Sequence, residues 1–355
     1  MIVYFGIYIL ILCGVPITLV DSIKHRRVLQ GLFFFAAMTC LILLPGLRAY
    51  DVDPDSQNYR DWFDLVSTGS FGIEGWLREP AFAFISLVVS CLGMAYFMVQ
   101  LAYASLSLMF YLCFTVFAVS NRWQTLYFYL ILCRFYLIQD FAEIRAGVAI
   151  PLMSVSIYLL CAGKRKWAIA LYLLALTFHW SVLVALPVFV LLLVGVKFYS
   201  RMWVIMFLPL TGISLIGLRV IIEKLSFIER LSRYYADSHA ADGLNVLSLH
   251  FFMHVAVVGW VVCFCWEKLS LLQRVAAVCT SLGMFLFLTF IQLSAVAYRF
   301  EDIFDLFWVL LIITLLEFSS GMRRIAYVIL LTIAGFGLYY VSLIFVRPYG
   351  TVLYQ

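Results

Sequence analysis

The chain is built of long apolar runs separated by short polar links. Roughly Ile2–Val20, Leu29–Leu47, Ala95–Ala118, Leu126–Ile138, Arg145–Gly163, Trp167–Phe178, Ser181–Val196, Met202–Leu218, Phe251–Trp266, Val275–Leu293, Ile303–Leu316 and Ile325–Phe345 read as hydrophobic segments. Several fall short of the ~20 residues that cross a bilayer as a helix. The runs are solidly apolar instead of alternating at period two, which weighs against a membrane barrel. The pattern predicts an all-α polytopic membrane protein of about twelve transmembrane helices. No long polar stretch interrupts it, so residues 1–355 are expected to form a single helical integral membrane domain. Two sizeable outer loops are expected, 48–79 and 219–250. Pro80–Met94 is apolar but would break the alternation of sides if it crossed, so a re-entrant or interfacial helix is expected near 80–94.

Charge orients this arrangement. Lys24, Arg26, Arg27, Arg122, Lys164, Arg165, Lys166, Lys197, Arg201, Lys268, Arg274, Arg323 and Arg324 all fall on one side, against Asp21, Glu267 and Glu317. An excess of lysine and arginine on short loops marks the cytoplasmic face. Counting Pro80–Met94 as a span would move "GKRKW" to the outside. Both termini are therefore expected outside, with Met1–Val20 as the first span, since it lacks a basic leader and a small-residue cleavage site. Composition agrees: 65% of residues are hydrophobic and 12% charged, against about 45–50% and about 25% in soluble domains.

The outer side holds the two long loops and the links "QDFAEIR" (Gln139–Arg145), "FHW" (Phe178–Trp180) and "YRFED" (Tyr298–Asp302). Its basic residues are arginines apart from Lys224, and arginine grips phosphate or carboxylate with a planar fork. All nine cysteines lie in apolar segments, as small buried hydrophobes do. Cys263 and Cys265 do not share a helix face and have no nearby histidine, so they offer no metal site. There is no phosphate-binding loop, dinucleotide fingerprint or internal repeat, and nothing points to nucleic acid.

Five short elements in order, "GLRAYDVDPDSQNY", "REPAF", "EIRAGVAI", "FHWSV" and "YRFEDIF", resemble those of EpsG-type, Wzy-like polymerases, over Gly46 to Phe304. The resemblance implies joining of undecaprenyl-diphosphate-linked oligosaccharide repeat units of O-antigen, capsule or exopolysaccharide at the outer face of the bacterial inner membrane. It also implies a flippase and a chain-length regulator as possible partners beside the lipid bilayer. Such a transfer needs cations to hold the departing diphosphate and a base for the attacking hydroxyl. The arginines are the expected cations, with no cofactor or metal; Asp51, Asp53 and Asp55 would ligate an ion only if their loop folded suitably.

Each candidate has a plainer alternative. Arg145 opens an apolar segment and needs a partner or a ligand; an internal pair with Glu143 or Asp140 would suffice. Arg299 has Glu301 and Asp302 beside it. Arg48 ends the second segment, where it could snorkel to headgroups. His179 could be a base, a sugar contact or a satisfied structural histidine. Asp55, Asp140, Glu143, Glu79 and Asp302 are candidate acids, although surface carboxylates usually only solvate a loop. Tyr59 and Tyr298, with Tyr50, Trp62, Trp76, Trp180, Tyr234 and Tyr235, could stack on sugars or simply sit at the interface, where aromatics gather. "ERLSRYYADSHAADG", containing Arg233, reads as a lid or a connector. Rival classes are a flippase or transporter of lipid-linked sugars, a membrane acyltransferase, and a structural membrane protein. A transporter predicts repeat symmetry and mid-membrane charge; here the charge is displaced outward.

Overall fold

In the computed structural model, which describes residues 1–49, 52, 55–197, 199–205, 207, 249–291 and 293–352, the elements are helical. Seven stretches among the described residues are long and apolar enough to cross a membrane: Ile2–Leu19, Ile23–Gly46, Phe97–Ala118, Ile144–Cys161, Phe251–Lys268, Leu271–Thr289 and Gly321–Ser342. The helices in chain order are α1 (Ile2–Leu12), α2 (Ile23–Gly46), α3 (Ser56–Ser67), α4 (Gly72–Arg78), α5 (Pro80–Cys91), α6 (Phe97–Ala118), α7 (Gln124–Phe135) and α8 (Ile144–Cys161). They continue with α9 (Arg165–Phe178), α10 (Leu186–Val194), α11 (Leu249–Trp260), α12 (Leu271–Thr289), α13 (Ser294–Glu317) and α14 (Gly321–Ser342).

The expected count of about twelve also included α7, α9 and α10, whose 12, 14 and 9 residues are shorter than a full span. α7 is prolonged by a π-helical turn, Tyr136–Asp140. α13 begins at Ser294, ahead of the expected Ile303, because a helix carries its charged turn along with it. Most of Met202–Leu218 and of the loop 219–250, with Arg233, Tyr234 and Tyr235, lies outside the described residues, as do Tyr50, Asp51, Asp53 and Pro54. α5 has 12 residues; at 1.5 Å rise it is about 18 Å long, short of the ~30 Å hydrocarbon core.

The expected loop 48–79 is largely helical. In α3 the buried positions Ser56, Tyr59, Phe63 and Val66 recur every three or four residues and face inward, while Gln57 donates to Asp61 at 2.7 Å on the outer face. That inner face meets α5 through Tyr59 and Phe82, with ring centroids 5.8 Å apart.

Two compact units emerge, one of Met1–Leu159, Lys164–Val182 and Ser319–Gln355, the other of Leu160–Gly163 and Leu183–Phe318. In the first, α7 is apolar and aromatic on all sides and buried along its length, the signature of a helix surrounded by others. Phe128 meets Phe34 of α2 at 5.3 Å, and Tyr127 meets Phe114 of α6 at 6.2 Å. Tyr129 donates to the Thr332 carbonyl of α14 at 2.8 Å and lies 3.2 Å from the Tyr8 hydroxyl of α1. In the second unit α12 packs along α13, and a Cβ at Gly283 would stand 3.2 Å from Phe304 Cβ.

The approach of α14 to α7 depends on Gly335, where a Cβ would come within 2.4 Å of the Tyr129 ring. Tyr129 is held at its hydroxyl and cannot swing aside. Gly335→Ala is therefore expected to destabilise the protein by about 1–3 kcal/mol, the usual cost of overpacking, measured by thermal unfolding in detergent. An unchanged unfolding temperature would contradict this packing.

Candidate functional site

Arg145 is the second residue of α8, and its guanidinium is only 17% exposed. A lone charge there would be costly, and its partner is Glu79, which pairs with Arg145 Nη1. The acid sits between α4 and α5, where Pro80 occupies the first helical position of α5; proline is tolerated there because that N–H has no helical acceptor to meet. Arg145 Nε donates to the Tyr59 hydroxyl at 3.3 Å. Its carbon Cζ lies 5.3 Å from the centre of the Tyr59 ring and 5.1 Å from that of Trp62, within cation–π range. Nη2 is bonded by no group among the described residues, so two edges of the fork are held and the third is available.

Around this cage the sequence elements meet. The Trp180 indole donates to the Arg78 carbonyl at 3.2 Å, tying "FHW" to "REP". Phe178 packs edge-on against Tyr103 at 5.7 Å, and Tyr103 against Phe82 at 6.1 Å. Burial pushes the Tyr59 phenol up to about 12, opposed by the charge and hydrogen bond of Arg145 and reinforced by Asp55 and Glu143. Tyr59 is therefore a neutral hydrogen-bonding phenol at any physiological pH, and both carboxyls are near enough to act on it. Asp55, Glu143 and His179 are half-buried, and Trp180 is 52% exposed. The local partners expected for Arg145, Glu143 and Asp140, are not the ones it pairs with.

Arg48 is placed differently. It is fully buried, so it does not snorkel. Its Nη1 donates to the Pro45 carbonyl at 2.7 Å, and its Cζ lies 5.7 Å from the centre of the Phe141 ring. The chain after α2 pairs with the chain after α14: Arg48 bridges Thr351, Ala49 N–H donates to Gly350 at 2.9 Å, and Arg347 N–H to Val52 at 3.0 Å. Near it lies Asp140, 2% exposed, whose carboxylate oxygens accept no hydrogen bond among the described residues. The adjacent Ser107 hydroxyl gives its proton to the Gly147 carbonyl at 2.8 Å. Burial pushes Asp140 up to about 7, with Ser107 and the Arg48 charge only partly offsetting it. Gly147 makes this fold-back possible, since a Cβ there would stand 3.0 Å from the Gln139 carbonyl.

In the second unit Tyr298 and Arg299 are exposed and Asp302 is half-buried on α13, with the Tyr298 ring 5.5 Å from Phe287. Sequence reading missed a buried cluster below them, His254 of α11 with Glu301 and Asp305 of α13, whose ligand atoms lie within 4.8 Å of one another. Its signal was two acids four residues apart in an apolar run; Glu301 was instead weighed as a partner of Arg299. Of the aspartates weighed as metal ligands, only Asp55 lies among the described residues.

No curated protein and no solved structure matches the chain. The EpsG family profile matches residues 31–355. That match covers nearly the whole sequence and includes every element gathered around Arg145, so the chain belongs to the EpsG family.

Proposed function

We propose that this protein polymerises undecaprenyl-diphosphate-linked oligosaccharide repeat units, of the O-antigen, capsule or exopolysaccharide kind, at the outer face of the bacterial inner membrane. Membership of the EpsG family supports a polysaccharide-polymerase role of the membrane glycosyltransferase type. The observation that carries the finer reading is the Arg145 cage: a guanidinium at the mouth of an apolar helix, fixed on two edges with its Nη2 edge left for a ligand. In the reaction the acceptor hydroxyl oxygen attacks the anomeric carbon of the growing glycan and the bond to the diphosphate breaks. The hydroxyl proton passes to a base, and undecaprenyl diphosphate leaves.

Arg145 neutralises the departing diphosphate, the task a divalent ion performs in many nucleotide-sugar enzymes, and Arg48 and Arg299 are further arginines that this reading assigns to substrate binding. Glu79 and Tyr59 hold the fork in position. Among Asp55, Asp140, Glu143 and His179, Asp140 is the base whose proton affinity, near 7, suits the task. Tyr298, Asp302 and Arg233 are assigned to substrate binding. The short helices α7, α9 and α10 supply further crossings toward about twelve, and α5 lies at the outer face. A flippase and a chain-length regulator would work beside it.

Arg145→Lys keeps the charge but loses the planar fork. Ladder length in a complemented null strain should collapse, with turnover down about a hundredfold at unchanged protein level. Full-length ladders would mean that the pair with Glu79 is only structural, since lysine can satisfy a carboxylate as a point charge.

A base with an ionisation near 7 works only when deprotonated, so turnover should climb as pH rises through about 7. Asp140→Asn should flatten that limb; a limb that persists in the variant assigns the base elsewhere.

Single-cysteine variants at 55, 179 and 298, in a background free of the native cysteines, should react with an impermeant thiol reagent from outside. Those at 164 and 323 should react only after the membrane is opened. Protection at 55 together with labelling of 179 from the cytoplasm would overturn the orientation.

A further inference from the structure

Three arginines meet within the first unit, each brought by a different part of the chain. Arg26 is the fourth residue of α2 and Arg324 the fourth of α14, while Arg122 lies two residues ahead of α7. All three therefore stand at the N-terminal ends of helices, where the macrodipole favours an anion and disfavours a cation.

The contacts that gather them are specific. Arg26 Nη1 donates to the Val20 carbonyl at 2.9 Å, and its Nε to Asn121 Oδ1 at 3.4 Å. The Gln30 amide fixes Asn121, donating to its carbonyl at 2.6 Å and accepting from its Nδ2 at 3.0 Å. Two residues on, the buried Trp123 ring has Arg122 Cζ at 5.4 Å and Arg324 Cζ at 5.8 Å from its centre, both within cation–π range. Arg324 Nε and Nη2 donate to the Ser319 carbonyl at 3.1 and 2.7 Å. Like charges gathered in this way repel one another. The acid paired with them among the described residues is Asp21, 3.1 Å from Arg122 Nη2 and itself 90% exposed, and an exposed pair contributes little. The buried Nε of Arg122 meets no acceptor among the described residues. By contrast Lys164, Arg165 and Lys166 are all exposed, as in an ordinary solvated turn.

We propose that Arg26, Arg122 and Arg324 hold the phosphate of an anionic phospholipid, with its acyl chains against the apolar side chains beside them. Guanidinium forks suit phosphate oxygens. The source follows from depth: α2 and α14 are long and apolar enough to cross a membrane, so their first turns stand at the level of the headgroups. Ile23 and Val28 on α2, and Met322 and Ile325 on α14, are exposed apolar side chains within a turn of the arginines. A lipid covers them, whereas a soluble anion would leave them bare. The site is separate from the Arg145 cage and stands whether or not the protein is a polymerase.

The test places the full chain in nanodiscs of phosphatidylcholine with or without phosphatidylglycerol, with stability read by thermal unfolding. Native mass spectrometry reads the lipid that stays bound in detergent. Phosphatidylglycerol should raise the unfolding temperature and be retained in preference to phosphatidylcholine. Arg122→Gln and Arg324→Gln should each weaken that retention about fivefold, the effect of one interfacial charge. Arg165→Gln, on the exposed turn, should leave it unchanged. Equal unfolding in the two lipids, or an equal loss in Arg165→Gln, overturns the proposal, because the arginines then only share in the general charge of that face. If inorganic phosphate stabilises the lipid-stripped protein to the same degree, the site belongs to a soluble anion and the lipid is overturned as its occupant. Should the variants fail to accumulate, the parent alone decides: no preference for retained phosphatidylglycerol over phosphatidylcholine also overturns it.

Discussion

A charge that enters an apolar environment has to be met by another part of the chain, and the pair between Arg145 and Glu79 shows how far that constraint reaches. Arg145 is fixed by α8, so Glu79 must be brought to it from 66 residues upstream. This requires the junction of α4 and α5 to lie at the mouth of α8, with Pro80 starting α5 at once. It requires α3 to bring Tyr59 and Trp62 over the guanidinium. The stretch between α2 and α5 is thus organised by one ion pair, although its length and polarity suggested a solvent-facing loop.

That contrast separates what was legible in the sequence from what was not. Hydropathy located the long spans because continuous apolar side chains are a local property; α6, α8 and α14 lie within a few residues of where it put them. The need of Arg145 for a partner was also legible, since an apolar run cannot leave a guanidinium bare. Its identity was not, because proximity in sequence favoured Glu143 and Asp140 while proximity in space is set by the packing of α3 and α5. The cluster of His254 with Glu301 and Asp305 was hidden for the same reason: the two acids share a helix face, but the histidine arrives from 47 residues before Glu301 on another helix.

Arg48 and Arg145 are both arginines at helix ends, yet the fold treats them differently. Arg145 is gripped by side chains and keeps an edge available, so a ligand can be added without dismantling the cage. Arg48 is fully buried: its Nη1 donates to the Pro45 carbonyl, and its main chain bridges Thr351. Arginine does not give up its proton near neutrality, so the guanidinium stays charged in the interior. Its field is therefore felt by whatever lies nearby, and Asp140 is one such group.

This gives the pairing of Arg48 with Asp140 a chemical consequence that a simple salt bridge would lack. A direct, hydrogen-bonded pair would stabilise the carboxylate and lower its proton affinity far below neutrality. Here burial outweighs the Arg48 charge, and the Ser107 hydroxyl is committed to Gly147. Asp140 is left poised between its charged and neutral forms at about pH 7, where a small rearrangement shifts the balance. Water or a hydroxyl brought to its oxygens would favour the charged form, and removing it would restore the neutral one. A carboxyl in that condition accepts and releases a proton at little cost.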